Sequence, residues 1–191
     1  MNAVQVIFLT LLSALAVSAQ VLKFGECPQP TVQANFDLNR YIGKWYEIQK
    51  LPTAFQRGEC STATYSLISP GVVRVFNKEL LDDGTINTIF GSAQAKDPAE
   101  PAKLQVSFDG ILSPPNPYWV LSTNYENHAL VYSCTDFGLF HIELSWILSR
   151  EPTLSEGTLN QLRGILSSAG VDVNKLISTI HSETYCSAVN Q

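Results

Sequence analysis

Methionine occurs once in the 191 residues, at position 1. A chain that loses its leader therefore has no thioether left to react with peroxide. Cysteine is sparse: Cys27, Cys60, Cys134 and Cys186, with no CxxC spacing among them, which argues against a zinc site. Positive charge is short too. Twelve Lys and Arg against 17 Asp and Glu give a formal net charge of −5, the wrong sign for a nucleic-acid partner. The three histidines, His128, His141 and His181, are too scattered for a triad or a metal cluster. No Asn-x-Ser/Thr sequon is present, so N-linked glycan is excluded. Beyond the first segment there is no long apolar run, no repeat of about 20–50 residues and no low-complexity linker.

What is there begins with that first segment. Val4 to Val17 is apolar except for Gln5, Thr10 and Ser13, and Val17-Ser18-Ala19 is a small-residue cleavage pattern before Gln20. The stretch is shorter than the ~20 residues of a membrane span. It is expected to be a cleaved signal peptide, residues 1–19, preceding one mature domain, residues 20–191. A hydrophobic content of 45% supports a single sizeable core. Export to an oxidising compartment makes two disulfides the natural use of the four cysteines, with three pairings open.

Short β-rich runs then recur between turn residues: Lys44–Lys50, Ser61–Ile68, Val72–Glu79, Thr85–Ala93, Lys103–Phe108, Tyr118–Thr123, Ala129–Cys134 and Leu139–Leu148. Asp82-Asp83-Gly84 is a hairpin signal, since Asp-Gly accepts the positive φ of a primed turn. Ser113–Pro117, with three prolines, is expected to lie outside any central strand. About eight antiparallel strands with short connections predict an up-and-down barrel or a sandwich. One segment departs from the β pattern. Ser155–Ala169 puts Leu159, Leu162, Ile165, Leu166 and Ala169 on one helical stripe, with Gly170 placed to end it. A late helix favours the barrel.

Three spaced segments carry a family resemblance. Gly43-Lys44-Trp45-Tyr46 opens the first strand, Thr123-Asn124-Tyr125-Glu126-Asn127 follows the sixth, and Trp146-Ile147-Leu148-Ser149-Arg150 ends the eighth. Together they resemble the lipocalin signatures, with Asn124 standing where the family usually has Asp. Cys27-Pro28, Asn35-Phe36-Asp37, Glu100-Pro101-Ala102-Lys103-Leu104 and Ala129–Cys134 narrow the resemblance to lipid-carrying members found in body fluids. The resemblance implies an all-β, eight-stranded up-and-down barrel with a C-terminal helix packed on it. It implies Cys27–Cys134 and Cys60–Cys186 bridges, with no cysteine left for a disulfide-linked partner, and Arg150 stacked over Trp45. It implies no catalytic residue and no metal. The implied ligand contacts are Tyr65, Asn77, Glu79, Phe108, Tyr118, Trp146 and Leu148, around fatty acids such as arachidonate, steroids such as progesterone, or cholesterol-type lipids.

Strand alternation agrees with much of that lining. It puts Val75, Asn77 and Glu79 on one face, then Leu104, Val106 and Phe108, then Tyr118, Val120 and Ser122, then Leu144, Trp146 and Leu148. Glu79, if inside, needs a partner, and no Lys or Arg is evident for it. Exposed loop tips at Ile111-Leu112 and Phe137–Phe140 are candidates for contact with lipoprotein particles or a membrane surface. Three rivals remain. Cys60–Leu67 and Cys186–Ala188 also resemble biliverdin-binding fish lipocalins, so biliverdin is an alternative ligand. A lipocalin-type prostaglandin isomerase would need a free thiol. A structural module would have its barrel filled by side chains.

Overall fold

Trp45, Ala63, Asn77 and Ile89 stand opposite one another on four successive strands, and this pleat alignment fixes which side chains face inward. The computed structural model describes residues 22–111 and 113–189; the expected leader, 1–19, and Leu112 lie outside them. In order, the elements are β1 (Leu22–Phe24), α1 (Leu38–Tyr41), β2 (Gly43–Lys50), β3 (Glu59–Ser69), β4 (Val72–Leu80), β5 (Ile86–Ala95), β6 (Lys103–Phe108), β7 (Asn116–Thr123), β8 (His128–Asp136), β9 (Phe140–Ser149), α2 (Glu156–Ser168) and β10 (Ile177–Ser178). Strands β2 to β9 each pair antiparallel with the next, and β9 returns to β2 from Tyr46↔Ser149 to Lys50↔Trp146. The eight-stranded barrel is thus closed. The two short strands cover what the closure leaves: β1 lies on β9 at Leu22↔Ile142, and β10 on β2 at Ile177↔Lys50.

Pro117 corrects an expectation. It lies within β7, opposite Gln105. It sits at the strand's start, before β8 joins the ladder at Trp119↔Tyr132, so its missing N–H breaks no bond to β8.

Helix α2 forms where the stripe predicts. Ser155 caps it, its hydroxyl accepting from the Thr158 amide at 3.2 Å, and Gly170 follows at φ +83°. Leu159, Leu162 and Leu166 bury against Ile48, Leu121, Leu130 and Ile147 on the outer wall. This covering inverts the usual reading of β9. Its outward residues His141, Glu143, Ser145 and Ile147 are buried. Lys23 of β1 pairs with the fully buried Glu143 and donates to the Gly170 carbonyl at 2.8 Å. One ammonium thereby neutralises a buried carboxylate and meets the carbonyl end of α2.

Candidate functional site

The barrel is sealed at the end where β2 begins. Gly43 has φ +100°, and a Cβ there would lie 3.1 Å from Arg150 Nη1, so glycine serves both the backbone and the close approach. Arg150 lies 3.7 Å over the Trp45 ring. Its guanidinium donates to the carbonyls of Tyr125 (2.9 Å), Lys44 (2.9 Å), Arg40 (3.2 Å), Tyr41 (3.3 Å) and Ile42 (2.9 Å). Several of these are the end carbonyls of α1, which a short helix cannot satisfy itself. Asn124 performs the turn role without a carboxylate: its Oδ1 accepts from the amides of Asn127 (2.9 Å) and His128 (3.0 Å).

Above this seal is a floor of three tyrosines. Tyr118 OH lies 2.8 Å from both Tyr41 OH and Tyr65 OH. Burial pushes all three phenols up, Tyr65 to about 12. They stay protonated and neutral. Tyr65 and Tyr118 do face inward, as alternation and resemblance predict, and Tyr41 joins them from α1.

Between the floor and the rim, inward side chains on three strands become accessible. On β4, Val73 and Val75 are buried and Asn77 is half-buried. On β6, Leu104 and Val106 are buried and Phe108 is half-buried. On β9, Leu148 is buried while Trp146 and Leu144 are half-buried. Residues that point into a barrel can be accessible only if the space beside them is open. The accessibility on three strands places that space between the floor and the rim, with apolar walls. Asn77 Oδ1 is buried there with no hydrogen-bond partner among the described residues.

Polar groups collar the mouth. Glu79 is inward and buried, and its partners are neither Lys nor Arg: it accepts from the Gly58 amide at 2.7 Å and the Asn87 side chain at 2.8 Å. A side chain at Gly58 would collide with the Leu80 carbonyl at 2.5 Å, so glycine is what lets that amide come close. From the same β2–β3 loop hangs a network that sequence reasoning missed. Lys50 Nζ is 2.8 Å from Glu47 Oε1, and the Thr179 hydroxyl donates to the same oxygen at 2.8 Å. Gln56, on the β2–β3 connection, donates to Glu47 Oε2 and accepts from Trp146 Nε1 at 3.1 Å. Alternation from Trp45 would have found Glu47. It would not have found Lys50, because a register shift between Glu47 and Gln49 turns Gln49 outward to Arg163 and Lys50 inward.

Both bridges close among the chain's own cysteines, Cys27–Cys134 and Cys60–Cys186, and no cysteine is free. No thiol therefore serves an isomerase. Around the mouth, Phe24, Phe55, Ile111, Phe137 and Leu139 are exposed.

A family model described as a lipocalin-like domain matches residues 36–181. Apolipoprotein D of Mus musculus is 49% identical over 175 residues, 90% of this chain and 92% of its own length. The Lazarillo protein of Schistocerca americana is 33% identical over 177 residues, 90% of this chain and 82% of its own. Insecticyanin from Manduca sexta superposes at a TM-score of 0.75 with 27% identity, covering 88% of this chain and 93% of its own. A closed barrel, an arginine lid over the first-strand tryptophan and relatives of this identity lead to one conclusion: the chain belongs to the lipocalin family, as a secreted, non-catalytic carrier of small hydrophobic molecules.

Proposed function

We propose that the lumen carries a single lipid of the fatty-acid, steroid or cholesterol type, in contact with Tyr65, Asn77, Phe108, Tyr118, Trp146 and Leu148. Glu79 borders it from the rim. The observation that carries this reading is the accessibility of the inward-facing Asn77, Phe108, Leu144 and Trp146 between the buried floor and the polar rim. The Asn77 Oδ1, without a partner among the described residues, supports it, since a buried acceptor without a donor is costly and a ligand hydroxyl would relieve it. Burying roughly 400 Å² of apolar ligand is worth on the order of 10 kcal/mol gross. Lost rigid-body freedom cancels part of it, leaving affinities near micromolar or somewhat tighter.

Biliverdin fits this collar less well. Strand register turns a single cation inward among the described strand residues, Lys50, already paired with Glu47, so biliverdin's two propionates would have to stay in water at the mouth. A new visible band, absent from free biliverdin, on mixing it with the protein would favour the pigment reading instead. The exposed apolar tips Phe24, Ile111, Phe137 and Leu139 flank the entrance. They support delivery at a membrane or lipoprotein surface.

Trp146→Ala tests the pocket. It is expected to weaken arachidonate and progesterone binding at least ~5-fold, since it removes one large aromatic wall. The circular dichroism of the barrel should be retained. Unchanged affinity in a folded variant rejects the assigned lumen.

A further inference from the structure

Lys50 and Trp146 are direct register partners across β2 and β9, and both face the lumen. An ammonium and an indole N–H therefore stand side by side on one wall. Lys50 is 3% exposed, so its charge has left water and requires a counter-charge. Glu47 supplies it at 2.8 Å. The indole N–H is met by the Gln56 side-chain oxygen at 3.1 Å, and the same amide donates to Glu47. Gln56 belongs to a loop, not to the wall. A carboxylate on the ammonium and an acyl oxygen on the indole N–H are what a bound fatty carboxylate would present to this pair, here assembled from the chain's own groups.

We propose that Lys50 Nζ and Trp146 Nε1 form a head-group subsite for one ligand carboxylate, and that Gln56 is the placeholder such a ligand displaces. The acyl chain then runs toward Leu148 and the tyrosine floor. This rests on the carrier reading above and names a long-chain carboxylate as the favoured class within it.

Glu47 determines how the charge balances. A ligand carboxylate beside it makes two carboxylates share one ammonium, and such a pair retains a proton. Burial raises the Glu47 pKa, opposed by Lys50, Thr179 and Gln56. The groups facing Glu47 are Lys50 on its own strand, Gln56 from the loop, and Thr179 and His181 from the C-terminal segment. His181 Nε2 lies 2.7 Å from the Glu47 carbonyl, with Glu59 beside it. Glu79, on β4 and bound from the same loop as Gln56, is held by Gly58 and Asn87. Of these, Glu47 is the group that protonates: one proton passes from solvent to its carboxylate for each ligand carboxylate bound. Lys50, Gln56 and Thr179 also line a cleft of about 190 Å³ that opens to solvent and gives the proton a route.

The experiment is calorimetric titration of the delipidated mature protein with arachidonic acid and with methyl arachidonate, in two buffers of different ionisation enthalpy. Charge-assisted bonds to the head group predict ~10-fold tighter binding of the acid, with uptake of about one proton that the ester does not cause. In Lys50→Met the acid-to-ester ratio should fall to about one, for want of the ammonium. Trp146→Phe keeps the ring, loses only the N–H, and should lower the ratio ~3-fold. It decides the matter if Lys50→Met does not fold. Equal affinities of acid and ester, or acid binding without proton uptake, overturn the subsite and leave the carrier reading standing. Failure of acid, ester and progesterone alike overturns both.

Discussion

Arg150→Ala is expected to destabilise the protein by on the order of 3–5 kcal/mol and to lower Tm by roughly 10 °C. The size follows from how many groups one guanidinium serves. It donates to five carbonyls drawn from α1, the start of β2 and the β7–β8 turn, and it covers the face of Trp45. Alanine takes the guanidinium donor from all five carbonyls at the sealed end, those of Arg40 and Ile42 at the end of the single-turn α1 among them. Trp45 keeps its own bond, Nε1 to the Tyr41 carbonyl at 2.9 Å, so the barrel should still close, with a loosened floor. Arg150→Lys should recover little. A lysine brings a point charge with three donors on a flexible stem and cannot fan out over five acceptors or lie flat on an indole. Thermal unfolding followed by circular dichroism measures both variants. A lysine variant as stable as the parent would show that charge alone, without the planar fork, closes the barrel.

How far the sequence could be read follows from which features are local. The strands were legible because alternation and turn residues are written within about ten residues. Lys103–Phe108 has the predicted bounds, and the other seven barrel strands end within two residues of theirs, while the short β1 and β10 were not anticipated. Helix α2 was legible from its stripe and from Gly170. The inward set Asn77, Phe108, Tyr118 and Trp146 followed from the same period of two. What escaped depends on contacts between distant segments. The shift near Ile48 that turns Lys50 inward leaves no local mark. Nor does the cover of β1 and α2 that buries Glu143 and His141 on an outward face, which alternation alone assigns to solvent. Glu79 illustrates the same limit. Its partners are a backbone amide from the β2–β3 loop and Asn87 on the neighbouring strand, and a search for an opposite charge could not find either.

Removing the two disulfides one at a time should give similar losses of stability and different losses of function. The bridges span 107 and 126 residues. On the chain-entropy model each closes a loop worth about 4–5 kcal/mol, and the difference in length is negligible because the dependence is logarithmic. Cys27→Ser/Cys134→Ser frees an N-terminal arm that β1 still holds by pairing with β9 and by the Lys23–Glu143 ion pair. None of those contacts reaches the mouth collar. Cys60→Ser/Cys186→Ser frees the segment that follows β10. That segment is tied to the barrel by the Thr179 amide to the Ile48 carbonyl at 3.1 Å and the Cys60 amide to the Ile180 carbonyl at 2.9 Å. It delivers Thr179 to the Glu47 carboxylate and His181 to the Glu47 backbone. Its release should loosen the Glu47–Lys50–Gln56 network along with the fold. Denaturant titration is therefore expected to place the two double variants within about 1 kcal/mol of each other. Arachidonate affinity should drop ~3-fold or more only in the Cys60/Cys186 variant, because side chains of the loosened collar must then be ordered on binding. Equal loss of affinity in both variants would sever the link between the C-terminal segment and the collar.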